Sequence, residues 1–292
     1  MSPCLLVYGA GTWLALSKTQ PSSLRVNRMP TPEPTPVRIE ITDGASIPDP
    51  KDKRIITAWS LSLGGALALL FFLCIRYPDP YLDIIKLLPA GIWVTFQVTI
   101  FSICITIPLG CLVGLGRLSR FRPINLLAST YVEVIRGIPL LVQLIYIFYG
   151  LSTFFQVPAM LAAVISLSFC YGAYMGEVFR AGISSISAGQ TEAARSLGFN
   201  RFQTMWYIIL PQAWRTILPP VGNECIALLK DTSLISILAV ADMLRIAREY
   251  ASTTFLYFET YTVVAIFYLV ITLILSKCVS IMESRLSYYD RR

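Results

Sequence analysis

Lys230 and Asp231 stand side by side in the stretch LLKDTSLISIL, whose other residues are apolar or weakly polar. Opposite charges followed by Thr232, Ser233 and Ser236 can bind an ion, a proton or a small polar solute through charge and hydrogen bonds. They cannot by themselves break a covalent bond. The chain has no histidine, which removes the commonest general base and every Ser-His or Cys-His pairing. Its seven cysteines, Cys4, Cys74, Cys104, Cys111, Cys170, Cys225 and Cys278, are scattered without a CxxC and read as small hydrophobes. No GxxxxGK[ST] loop is present to cradle a nucleotide. The expectation is a chain with no catalytic site, no metal site and no cofactor of its own.

The elements that must hold this pair are membrane spans. Hydrophobic residues make up 55% of the 292 residues and charged residues only 14%, with a mean hydropathy of +0.64. That balance departs from soluble domains toward a multi-span membrane protein. A helical span needs roughly 20 apolar residues. Uncharged runs at 55–75 and 91–116 each supply one, and 137–176 supplies two if divided near 150–158. Further spans are expected at 221–240 and 260–281, giving about six in an all-α polytopic bundle. Lys230 and Asp231 then lie about ten residues beyond Pro219 and Pro220, roughly 15 Å into the fifth span. A charge at that depth costs several kcal/mol unless paired or hydrated. Two readings stand: a structural ion pair between helices, or the lining of a solute's path.

Lys and Arg resist translocation beside a span, so their distribution tests the topology. Lys51, Lys53, Arg54, Arg117, Arg120, Arg122, Arg136, Arg180, Arg195, Arg201, Arg215, Lys277, Arg285, Arg291 and Arg292 fall in alternate connections. The opposite connections hold only Arg76, Lys86, Arg245 and Arg248. Both termini and the segment 183–221 are therefore expected in the cytoplasm. The net charge of +7 has this topological cause, and no basic stripe interleaved with aromatics points to nucleic acid.

Residues 1–54 form a separate, Pro-rich extension that is expected to be disordered. Residues 4–16 imitate a signal-peptide core without its basic flank or cleavage site. Met29 is an alternative start, which would make 1–28 an over-long reading of the gene. Residues 287–292 form a short charged tail.

The segment 183–221 is a polar interlude in an apolar chain. Ser187 with Gln190, and Asn200 with Gln203, have capping-box spacing, and Gly198 is placed as a helix stop. The spacing predicts short helices over 188–197 and 201–209, the second limited by Pro211. Gly189, Ala193 and Leu197 recur every four residues, so another surface could approach one face of the first helix closely. The segment is either an amphipathic linker packed on its own bundle or a handle for a partner. Lesser features are Glu133 and Arg136 as interfacial anchors of the third span, and Glu177 with Arg180 at helical spacing. Gly110 and Gly114 suit close helix packing.

Glu192-Ala193-Ala194, then Gly198, then Ile209-Leu210-Pro211 resembles the EAA loop of the inner-membrane permease subunits of ABC importers. The resemblance extends over most of 88–286. TYVEVIRGIPLLVQL and ILPQAWRTILPPVGNECIALLKDTSLISIL are similar to the polar amino acid subfamily, which includes glutamine, glutamate/aspartate, histidine and arginine permeases. Ile138 departs from the Thr common in the family at that place. The resemblance implies a bundle of the type I ABC importer permease kind with a five-span core, so that 55–75 is an added helix. It implies that Glu192, Ala193, Ala194, Gly198, Leu210 and Pro211 dock on a separate ATPase dimer, which binds ATP and Mg. It also implies a second permease subunit, identical or homologous, an extracytoplasmic amino-acid-binding protein, and a place in the bacterial inner membrane. Lys230, Asp231, Thr232 and Ser233 are then the candidate substrate path. The alternative is a secondary transporter or channel subunit without a motor, with Lys230 and Asp231 as its ion or proton site.

Overall fold

The computed structural model describes residues 57–154 and 156–288, and every element among them is helical. The expectations for 1–54 and for the last residues of the tail lie outside this range. In chain order the helices are Ala58–Arg76 (α1), Pro78–Arg117 (α2), Arg122–Gly137 (α3), Leu140–Ile145 (α4) and Ala159–Ser184 (α5). Ala188–Ser196 (α6), Arg201–Gln203 (α7), Leu210–Asp231 (α8), Met243–Thr254 (α9) and Tyr257–Tyr288 (α10) complete them.

Four helices, α1, α2, α5 and α10, are long and apolar enough to cross a bilayer. A fifth candidate is the pair Arg122–Gly137 and Leu140–Thr153, bent by 98°. This differs from the expected six spans in two places. The third was expected to begin at Gly137, but the chain breaks there. Ile138 is extended at φ −104°, ψ 127°, and Pro139, which biases its predecessor away from helix, opens α4. Only the fourteen residues Leu140–Thr153 follow, through a π turn at Tyr146–Gly150. The expected fifth span carries Asn223, Glu224, Lys230 and Asp231 on α8, then tightens into a 3₁₀ segment over Thr232–Leu238. Its polarity excludes it from a lipid-facing role, and it packs on α5 and α10 inside the bundle.

The rigid centre is the long contact between α2 and α5. A Cβ added at Gly114 would lie 2.7 Å from Phe179 Cβ, and one at Gly176 would lie 2.6 Å from Val113 Cγ1. No side chain fits at either place, so the two backbones approach as glycine-bearing membrane helices do. Arg117 on α2 and Arg180 on α5 both pair with Glu177, closing this contact at one end. At the other end α9 packs on α2, where a Cβ at Gly91 would lie 2.6 Å from Met243 Cα. Asp242 caps α9, accepting from the Leu244 and Arg245 amides at 3.1 Å each.

Helix α1 lies outside this core and docks chiefly on α10. Its Trp59 indole donates to the Leu273 carbonyl at 2.8 Å, which sets the start of α1 beside the later part of α10. Both ends of the described chain therefore lie on the side that the basic residues assign to the cytoplasm.

Candidate functional site

Two cavities open along α8. The first, about 430 Å³, lies between α3, α5 and α8 and includes Arg136, Tyr174, Glu177, Ser185, Thr216 and Glu224. The second, about 410 Å³, shares Arg136, Tyr174 and Glu224 and adds Ile138, Pro139, Tyr171 and Asp231. Their common wall is the charged part of the site. Arg136, in the last turn of α3 before the break at Ile138 and Pro139, is exposed and lines both cavities, with its guanidinium carbon 5.0 Å from the centroid of the Tyr174 ring. Opposite, Glu224 and Asp231 project from α8 two turns apart, which places them on one helix face. Tyr171 on α5 donates to Asp231 Oδ2 at 2.7 Å and fixes that carboxylate against the rigid α2–α5 pair.

The four residues expected to line a path separate here. Asp231 faces the second cavity and also a third, about 590 Å³, between α8 and α10. Lys230 faces that third cavity and a fourth, which Ser233 also lines. Thr232 turns into the core, fully buried, with its hydroxyl on the Leu229 carbonyl at 2.6 Å, and lines none of these cavities. Lys230 and Asp231 make no ion pair with each other or with any described residue. Adjacent positions on a helix point about 100° apart, so sequence adjacency does not bring them together.

Sequence reasoning missed Glu224, Tyr171 and Tyr174, and it assigned Arg136 to the membrane interface. Glu224 was legible as the residue two turns before Asp231. Arg136 was not, because its place beside Tyr174 depends on how α3 packs against α5. Glu133, weighed alongside Arg136, stays exposed on α3.

The polar segment forms a compact handle. Ser187 Oγ accepts from the Gly189 amide at 3.3 Å, but the expected box with Gln190 does not form. Gln190 Oε1 instead accepts from Gln212 Nε2 at 3.3 Å, tying α6 to the start of α8. After α6 the Phe199 amide donates to the Ala194 carbonyl and the Gly198 amide to that of Arg195, with Gly198 at φ +87°. This paired closure needs a left-handed residue, which glycine supplies without steric cost. Asn200 and Gln203 form the expected reciprocal box, at 2.8 and 2.9 Å.

Pro211 does not end the second helix. Its ring would meet the carbonyl four residues back and it has no N–H to give, but a π turn over Thr204–Ile209 widens the helix at that place. The chain runs on as α8, with Leu210 half-buried and Pro211 exposed. Ala194 is buried against the handle's own turn. Glu192, Ala193 and Gly198 are exposed, as are Leu197 (78%), Phe202 (74%), Trp206 and Tyr207. The Phe202 and Trp206 rings stack with centroids 6.2 Å apart. The handle thus presents an aromatic and small-residue surface in the segment that the charge pattern places in the cytoplasm.

Comparison with known proteins gives the same architecture. Residues 106–288 match the model of a family described as binding-protein-dependent transport system inner membrane component. The probable glutamine ABC transporter permease protein GlnM of Bacillus subtilis (strain 168) is 38% identical over 197 residues, 67% of this chain and 91% of that protein. The glutamine transport system permease protein GlnP of Escherichia coli (strain K12) is 36% identical over 205 residues, 69% of this chain and 94% of that protein. A crystal structure of an amino acid ABC transporter with histidines aligns at a TM-score of 0.67 and 42% identity, covering 70% of this chain and 96% of that one. An inward-facing methionine ABC transporter, MetNI, shares the fold at a TM-score of 0.54 and 19% identity, over 70% of this chain and 96% of that one.

Proposed function

The chain belongs to the family of binding-protein-dependent transport system inner membrane components, and on that premise we propose how it carries polar amino acids inward at the expense of a partner's ATP hydrolysis. It is an ABC permease subunit of the bacterial inner membrane. The observation that carries the reading is a physical connection. The handle's exposed surface and the charged wall sit on one helical rod, which runs from Arg201 through the π turn into α8 and on to Leu238. From Arg201 to Asp231 this rod is about 45 Å long at 1.5 Å per residue. A displacement of the handle is delivered directly at Glu224 and Asp231.

The wall fits a zwitterion. An amino acid presents a carboxylate and an ammonium group, and the two joined cavities offer Arg136 to the first and Glu224 with Asp231 to the second. Tyr171 keeps Asp231 oriented, while Tyr174 backs Arg136. Lys230 and Ser233 face the α8–α10 side, where a second permease subunit, identical or homologous, completes the path. An ATPase dimer binding ATP and Mg receives the handle through Glu192, Ala193, Gly198, Leu210 and Pro211, together with the exposed rings beside them, while buried Ala194 holds the handle's own packing. An extracytoplasmic binding protein delivers the amino acid from the other side. Closure of the ATPase pair moves the two handles as levers and switches the bundle between two discrete packings.

The test is co-purification from native membranes. Tagged chain should bring an ATPase subunit with it, and the double variant Leu197→Asp, Phe202→Asp should reach the membrane at the same level and lose that subunit. Retention of the ATPase by the variant, or its absence from the wild-type preparation, contradicts the docking surface.

A further inference from the structure

Helix α1 lies outside the residues that the family model matches, and its contact with the bundle is incomplete. Near the middle of the membrane α1, α2 and α10 leave a cavity of about 290 Å³ between them. Leu67 and Leu70 line it from α1, Ile92 and Phe96 from α2, and Phe267 and Val270 are among its α10 residues. No polar side chain lines it, so water has no partners there and does not fill it. At the cytoplasmic end of the same seam Lys277 Nζ sits 5.3 Å from the centroid of the Trp59 ring. The Lys277 side chain is exposed and makes no ion pair with a described residue.

The two features are spaced for one molecule. Along α10, Ile271 at the cavity's lower edge stands six residues before Lys277, roughly 9 Å; along α1, Leu67 stands eight residues after Trp59, roughly 12 Å. One leaflet's share of the hydrocarbon core is roughly 15 Å. A cation beside an amphipathic indole marks the headgroup level, and the apolar cavity lies one acyl-chain reach above it. The cytoplasmic leaflet is the one whose anionic lipids attract Lys near a span end.

We propose that the seam between α1 and α10 binds an anionic glycerophospholipid of the cytoplasmic leaflet, with its phosphate at Lys277 and Trp59 and one acyl chain in the cavity. The lipid completes the packing of α1 and holds this helix to the permease core. The binding does not depend on the transported solute, so it stands apart from the transport reading.

Purified full-length chain in a neutral detergent, titrated with phosphatidylglycerol or with phosphatidylcholine of the same acyl chains, reports the first bound lipid by native mass spectrometry. Phosphatidylglycerol should bind the wild type more tightly than phosphatidylcholine. Lys277→Gln should weaken phosphatidylglycerol about fivefold and phosphatidylcholine, whose choline offsets the phosphate charge, by less. Leu70→Trp, which fills the cavity, should weaken both lipids. Equal affinity for the two lipids in the wild type, or undiminished phosphatidylglycerol binding by Lys277→Gln, overturns the proposal; because Lys277 is exposed, that variant decides even if Leu70→Trp folds poorly.

Discussion

The phenol of Tyr171 on α5 donates a 2.7 Å hydrogen bond to Asp231 Oδ2 on α8. Helix α5 is locked to α2 by glycine contacts that admit no side chain, whereas α8 continues into the exposed handle. The bond therefore joins the glycine-packed pair of helices to the helix that carries the handle. It also holds the Asp231 side chain where that residue lines the second and third cavities.

Removing this donor leaves a carboxylate in a low-dielectric wall with one fewer partner, and bonds to charged groups contribute about 1.5–3 kcal/mol. Tyr171→Phe keeps the ring and its packing. It should raise the KM for amino acid uptake at least about tenfold with membrane level unchanged, measured as initial uptake rates in vesicles. An unchanged KM would mean that the Tyr171 hydroxyl does not orient the binding carboxylate.

Gly198 holds the corner of the handle at φ +87°, with nothing within 4 Å of an added Cβ. Any penalty for substitution there belongs to the backbone and not to a clash. A β-branched residue in this conformation costs about 1–2 kcal/mol, while asparagine tolerates it better. Gly198→Val should insert normally yet lower solute-stimulated ATP hydrolysis about tenfold, with Gly198→Asn in between. Full stimulation in Gly198→Val would remove the corner from the coupling path.

Asp242 is fully buried and caps α9 by accepting from the Leu244 and Arg245 amides at 3.1 Å each. Loss of such a cap costs about 0.5–2 kcal/mol, while asparagine keeps an acceptor at the same place. Asp242→Ala should therefore lower the Tm, followed by circular dichroism, by roughly 2–6 °C, with Asp242→Asn in between. An unchanged Tm in Asp242→Ala would remove the cap from the stability of α9.

What the sequence made legible was local chemistry. The Gly198 corner and the Asn200–Gln203 box could be read because capping depends on residues within one turn of each other. The long apolar stretches of α1, α2, α5 and α10 could be read because lipid imposes a length. The wall was only half visible. Arg136 looked like an interfacial anchor, and its place on the wall of both cavities depends on how α3 packs against α5, which no periodicity encodes. Pro211 read as a stop because a proline's cost was counted for an α-helix, whereas the π turn before it changes the register. Lys230 and Asp231 looked like a pair because they are neighbours in sequence, yet they share only the third cavity, with Asp231 alone on the second and Lys230 alone on the fourth.

The central claim is that the handle couples this bundle to a motor, and the energy source of uptake tests it most directly. In vesicles containing the assembled transporter and its binding protein, amino acid uptake should stop when internal ATP is removed and should persist when an uncoupler collapses the proton gradient. Uptake that survives ATP removal and fails with the uncoupler would make Lys230 and Asp231 an ion site in a motorless transporter, and would contradict the account.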